Sequence, residues 1–349
     1  MIPAQQPAER APMVNRRGAA PSLKPALSPE GHRRGWAMTL GFALLCLLVA
    51  PPRTSAQEAG PQHLSLHVAY TRSSFHNVNP SDAAAAFRIF AQTAARKRGY
   101  ESDIDVQLFD SPAACEAEIK KGTINLAILD AWDYLGMDIQ PVMEPVFVHL
   151  EQGVILKDYL LLTRRGSGLT VLADLRGKDL MMLEGKGGNL SRAWLDSLLL
   201  AQHLETKEAF FRKLEPVAKP SAAVLPVFFG TKSACLVDRA AFQIMSELNP
   251  QVGSNLLVLA VSDPYLESIT CIGRSGWPSE RARQDLIQAM AEFHLEPNGR
   301  QILELFKVDQ LVPFKDEYLN TARKLWVASE PLGKKNLASL LGGQTKSEP

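Results

Sequence analysis

Glycine spacing singles out Gly185-Lys186-Gly187-Gly188-Asn189-Leu190-Ser191-Arg192 as the stretch best suited to hold a ligand. It lies between a strand-like run, Leu180–Leu183, and a helix-like run, Leu190–His203. The first amides of a helix lack an intrahelical acceptor and sit at the positive end of its dipole. Glycines let a ligand approach the backbone, so this arrangement favours a small anion. Gly187 and Gly188 would offer amides, Asn189 and Ser191 side-chain donors, and Arg192 a charge. The Gly-Lys-Ser/Thr ending of a nucleotide loop is missing, as is the last glycine of a dinucleotide fingerprint. A plain turn with Asn189 as helix cap is the alternative, and the residues alone leave both readings open.

Ligands of open α/β sheets bind beyond the carboxyl ends of the strands. Two more loops stand there: Tyr70 and Thr71, leading into Arg72-Ser73-Ser74, and Asp130-Ala131-Trp132-Asp133-Tyr134. Each also has a plainer reading, with Asp130 as a cap and Trp132 and Tyr134 as packing. Catalytic patterns are poor: there is no Gly-x-Ser-x-Gly elbow, no paired thiolates and no His-x-x-x-His helix. His63 and His67 are four apart, but on a strand that separates them by about 13 Å, too far to share a metal. Asp103 and Asp105 flank Ile104 and read as solvated. No catalytic residue, metal site or cofactor is expected.

The elements that must position these loops read as α/β. Leu64, Leu66 and Val68 alternate with polar residues as on a strand. A helix follows that Ser81 can cap, with Phe87, Phe90, Ala91 and Ala94 on one face and Gly99 as its stop. Ile104, Val106 and Leu108 form a second strand, Ser111-Pro112 opens a second helix that ends at Gly122, and Asn125–Leu129 is a third strand. This order predicts a mostly parallel sheet flanked by helices. The helix-free stretches Val146–Leu150 and Val154–Thr163 read as the crossing into a second lobe of the same kind. That lobe has strands at Leu180–Leu183, Ala234–Val237 and Leu256–Val261. Helices Ser279–Phe293 and Gly299–Phe306 then return the chain to the first. Lobe I is therefore expected over 62–150 and 268–340, lobe II over 151–267, and a solvated tail over 341–349.

Residues 1–35 are rich in Pro, Ala and Arg, and Arg33-Arg34 leads into the apolar run Trp36–Ala50, then the small residues Thr54-Ser55-Ala56. The run is long enough for a signal-peptide core and short for a membrane span, so 1–56 reads as a leader cleaved before Gln57, and the mature chain as exported to the periplasm. Of 38 basic and 37 acidic residues the leader takes seven and two, leaving 31 and 35 and a net charge of −4. Such a chain has no global attraction for nucleic acid, so an anion must be caught locally. Cys115, Cys235 and Cys271 remain. They read best as buried apolar residues, with Cys235 and Cys271 as the pair if a disulfide forms.

Over about 64–325 the chain resembles the phosphate, phosphite and phosphonate family of ABC-transporter substrate-binding proteins, a branch of the type 2 periplasmic binding fold. The resemblance rests on the strand 159–164 with the turn 172–178 (Leu-Ala-Asp-Leu-Arg-Gly-Lys), the glycine loop and helix 185–203, the segment 230–238, and the stretches 262–264 and 277–278. Where the family's loop is rich in Ser and Thr, this chain has Ser191, Asn189, Lys186 and Arg192. The resemblance implies a two-lobed clamp that closes by hinge bending on a small anionic solute of phosphate or phosphonate type. The partner would be an ABC permease or, alternatively, a membrane sensor, and the clamp a monomer. It implies ligand contacts from the helix start at 187–192, from Tyr70 and Thr71, and from Asp130 or Trp132, with Asp238 accepting a ligand proton or amine.

Overall fold

The computed structural model describes residues 62–74, 79–184 and 187–329. The leader 1–56, the tail 341–349, Gly185 and Lys186 lie outside the described residues.

Strand β1 (Gln62–Thr71) buries its alternating side, then runs out beyond Thr71. Helix α1 (Pro80–Lys97) is capped by Asn79, not Ser81: the Asn79 side chain accepts the Ser81 N–H at 2.9 Å, and Pro80 takes the first helical position, where a missing N–H costs nothing. β2 is Tyr100–Phe109 and α2 Pro112–Lys120, capped by Ser111 as expected. β3 (Leu126–Asp130) passes directly into the short α3 (Ala131–Gly136), and β4 is Met143–Leu150.

The chain then crosses through β5 (Leu156–Lys157) into β6 (Tyr159–Arg164) and β7 (Asp179–Leu183). Next come α4 (Gly188–Ala201), α5 (Lys207–Phe210), β8 (Lys213–Val217), α6 (Pro220–Phe228) and β9 (Ala234–Asp238). α7 (Arg239–Leu248), α8 (Pro250–Asn255) and β10 (Leu256–Val261) complete this part. The return runs through β11 (Tyr265–Leu266) to β12 (Ser268–Gly273), α9 (Glu280–Ala291), α10 (Pro297–Leu305), β13 (Gln310–Pro313) and a last helix over 320–329.

Two sheets result, in the orders β13-β4-β12-β3-β1-β2 and β10-β6-β9-β7-β8. Each is mixed. β1 pairs in parallel with β2 and β3, and β7 with β8 and β9, while the strands adjoining the crossings pair antiparallel because the chain enters and leaves each sheet there. The two crossing segments pair with each other, Lys157 opposite Tyr265 and Leu156 opposite Leu266. Two short connections side by side are the geometry of a hinge.

Phe87 and Phe90 of α1, and Ile302 and Leu303 of α10, pack against the first sheet with Leu66, Val68 and Leu126. The second sheet buries Leu161, Leu180 and Leu236 under Leu190, Trp194 and Leu195 of α4. Ala322 and Leu325 of the last helix join that second core, and Trp326 meets Trp132 of α3 edge-on with ring centroids 4.7 Å apart. That helix therefore straps one lobe to the other. The three cysteines are buried and free, with Cys235 in the second sheet and Cys271 in the first, which rules out their pairing.

Candidate ligand-binding cleft

The carboxyl ends of β1 and β3 face the start of α4 across the cleft. Asp130 ends β3 and caps α3: one oxygen accepts the Trp132 N–H at 2.8 Å, and the other accepts the Gly187 N–H from the opposite lobe at 3.2 Å. Asp133, one turn on, accepts from Asn189 Nδ2 at 3.3 Å and from the Ser73 hydroxyl. Thr71 Oγ1 lies 2.8 Å from Ser73 Oγ and 3.1 Å from Ser74 Oγ, so the loop after β1 is knitted into the same network. Burial pushes the Asp130 carboxyl up to about 8, helped by the neighbouring charges of Asp133 and Glu267 and opposed by the two backbone N–H donors. Burial also raises Asp133, against its hydroxyl and amide donors.

Gly187, rather than Asn189, holds the cap position of α4, at φ +73°. A Cβ there would collide with the Tyr159 hydroxyl and come within 2.6 Å of Glu267 Oε1, so both backbone angle and space call for glycine. The Tyr159 hydroxyl lies 2.9 Å from Glu267 Oε1 and 3.0 Å from Gly187 O, its one proton serving one partner at a time. Lys157 Nζ donates to Glu151 Oε2 at 2.6 Å and to Glu267 Oε2 at 2.9 Å. Burial pulls the ammonium down, but the two carboxylates outweigh it and hold Lys157 charged. One ammonium serves two carboxylates, and burial pushes Glu267 above the ordinary range.

Two cavities flank the α4 start and share Glu184, Gly188 and Ser191 as walls. The larger, about 170 Å³, is bounded also by Lys157, Tyr159, Asp238, Glu267 and Lys307. The smaller, about 140 Å³, is bounded by Arg72, Ser73, Asn189 and Arg192. The first side is rich in carboxylates, the second in guanidinium groups. Arg192 pairs with Glu184 and Arg72 with Asp110, both at exposed positions where such pairs are weak and exchangeable.

The structure thus brings Thr71, Asp130, Gly187, Gly188, Asn189, Ser191 and Arg192 to one place. Asp238 joins the larger cavity but spends one oxygen on the Ala241 N–H at 2.8 Å as cap of α7. Trp132 packs half-buried toward Trp326 and the second core. Tyr70 turns into the first core, stacked on Phe306 at 6.3 Å and edge-on to Phe87. Sequence reasoning missed Glu151, Lys157, Tyr159 and Glu267. Among the described residues no group of three or more His, Cys, Asp or Glu side chains is arranged to hold a metal ion.

The family of ABC-transporter phosphonate periplasmic substrate-binding proteins matches residues 74–319, most of the described chain. This chain belongs to that family. Solved structures agree on the fold. A Xanthomonas citri protein bound to chloride superposes with a TM-score of 0.58 at 11% identity over 78% of this chain and 99% of that one. A binding-protein component of a phosphonate ABC transporter from Pseudomonas aeruginosa gives 0.50 at 11% identity, over 80% and 99%. No curated protein matches in sequence. For a phosphonate-transporter binding protein the cleft is where a solute would be held, and here its two sides carry opposite charge.

Proposed function

We propose that this protein captures a small phosphonate-type solute between its lobes in the periplasm and delivers it, as a monomer, to an ABC permease. The observation that carries the reading is the pair of cavities sharing Gly188 and Ser191, one bearing Arg72 and Arg192 and the other Glu267 and Asp238. A phosphonate head fits the side where guanidinium groups, Asn189 and the positive end of α4 converge. A bare anion would meet excess carboxylate on the other side, so the charge favours a zwitterion whose ammonium faces Glu267 and Asp238. The expectation of a small anionic solute, with Asp238 accepting a ligand proton or amine, is narrowed here to one that carries the amine.

The test is thermal unfolding with phosphate, sulfate, methylphosphonate, aminomethylphosphonate and 2-aminoethylphosphonate. Ligand at a hundred times its dissociation constant stabilises by about 2.7 kcal/mol. Both aminophosphonates should shift the midpoint more than methylphosphonate does. Silence from every phosphonate would overturn the reading, and equal shifts with and without the amine would return the solute to a simple anion.

A further inference from the structure

A third cavity, about 50 Å³, lies in the first lobe beneath the carboxyl edge of its sheet. Tyr70, Ile128, Thr270 and Val308 bound it, and Phe306 bounds both this cavity and the 170 Å³ one in the cleft. Phe306 is thus common to both, and His149, which lines the inner cavity, stands 3.7 Å from Glu151 on the outer. Thr270 is fully buried, and its Oγ1 has no hydrogen-bond partner, although a buried hydroxyl normally finds one. Phe306 is the C-cap just past α10, and Lys307 behind it sits at φ +55°, so the ring that stacks on Tyr70 is carried by the helix terminus and not by the helix body.

Resting on the phosphonate reading above, we propose that the cavity behind Phe306 is a side pocket of the cleft that takes the apolar end of the solute's organic chain. The floor of the cleft is then an aromatic wall that must leave its stack on Tyr70 to open, with Ser74, His149 and Thr270 as polar groups beyond it. The solute class becomes aminophosphonates with an alkyl chain long enough to pass Phe306. At about 50 Å³, against the roughly 10–15 Å³ that holds one water, the pocket has room for at least one or two carbons.

The experiment is calorimetry of the protein with methyl-, ethyl-, butyl-, hexyl- and octylphosphonate and the corresponding 1-aminoalkylphosphonates, repeated with Val308→Phe and the gentler Val308→Leu, which fill the pocket from its far wall. Each methylene entering the pocket should tighten binding about fourfold, equivalent to ~0.8 kcal/mol, for roughly tenfold in all. The filled variants should bind the one-carbon members as the parent does and lose the chain-length gain. An affinity that stays flat or falls with chain length in the parent, or a gain that survives in Val308→Leu, overturns the side pocket while leaving the head-group site intact. Failure of the one-carbon members themselves to bind would overturn the phosphonate reading and the pocket with it.

Discussion

Asp130→Asn tests the electrostatics of the cleft. The Asp130 carboxyl is 1% exposed, and burial lifts it from 3.8 to about 8. A raised carboxyl means that the folded protein keeps a proton that the unfolded chain has released, so its stability contribution is fully present below about pH 4 and is lost as pH climbs through 8. Each unit is worth about 1.4 kcal/mol, which sets a ceiling of about 6 kcal/mol over the whole range and about 3 kcal/mol between pH 6 and 8.5. Asparagine cannot ionise. It keeps an oxygen for the Trp132 N–H but turns an amine toward the Gly187 N–H, at a cost of about 1–2 kcal/mol. The two melting curves should therefore cross near pH 5: Asp130→Asn melts a few degrees lower below pH 4 and several degrees higher at pH 9. The Gly187 contact spans the lobes, so opening the cleft rehydrates an ionised Asp130 and keeps the wild-type loss below the ceiling. Parallel midpoint-against-pH curves for the two proteins from pH 5 to 9 would refute the argument.

Replacing Lys157 by Met leaves Glu151 and Glu267 buried without their cation and should cost about 3–5 kcal/mol by chemical denaturation, with Glu267→Gln restoring part of it. Gly187→Ala adds a left-handed backbone penalty of about 1–2 kcal/mol to a collision with Tyr159 and Glu267, so its melting midpoint should fall further than that of Gly188→Ala, where a Cβ meets open space. Arg72→Ala and Arg192→Ala should each weaken phosphonate binding by about 1.5–3 kcal/mol in calorimetry without lowering the midpoint of the unliganded protein, since both side chains are partly exposed and their ion pairs weak.

Local chemistry was legible where the chain announces it. Ser111-Pro112 opens α2, Gly99 follows α1, and the glycine loop sits between β7 and α4 because strand ending, turn and helix start are written within a few neighbouring residues. The α1 cap was misplaced by two residues because Asn79-Pro80 and Ser81 both satisfy the pattern, and only the bond from Ser81 N to Asn79 decides between them. Tyr70 was placed in the cleft by its position at a strand end, but the alternation of β1 sends its ring into the core beside Phe87 and Phe306.

The charges that matter most were invisible for a different reason. Glu151, Lys157 and Glu267 are single ionisable residues in extended chain, and such residues read as solvated faces. They meet because β5 and β11 pair across 110 residues of sequence, which no local pattern encodes. The segments that pair at β5 and β11 are the two connections between the sheets, so Lys157 and Glu267 belong at once to the hinge and to the wall of the 170 Å³ cavity. A cationic group entering that cavity competes with Lys157 for Glu267, and Glu267 in turn holds Tyr159 against Gly187. On the proposed reading, ligand charge would therefore act on contacts at the crossing between the lobes, and a solute lacking it would fill the cavity without pulling on the hinge.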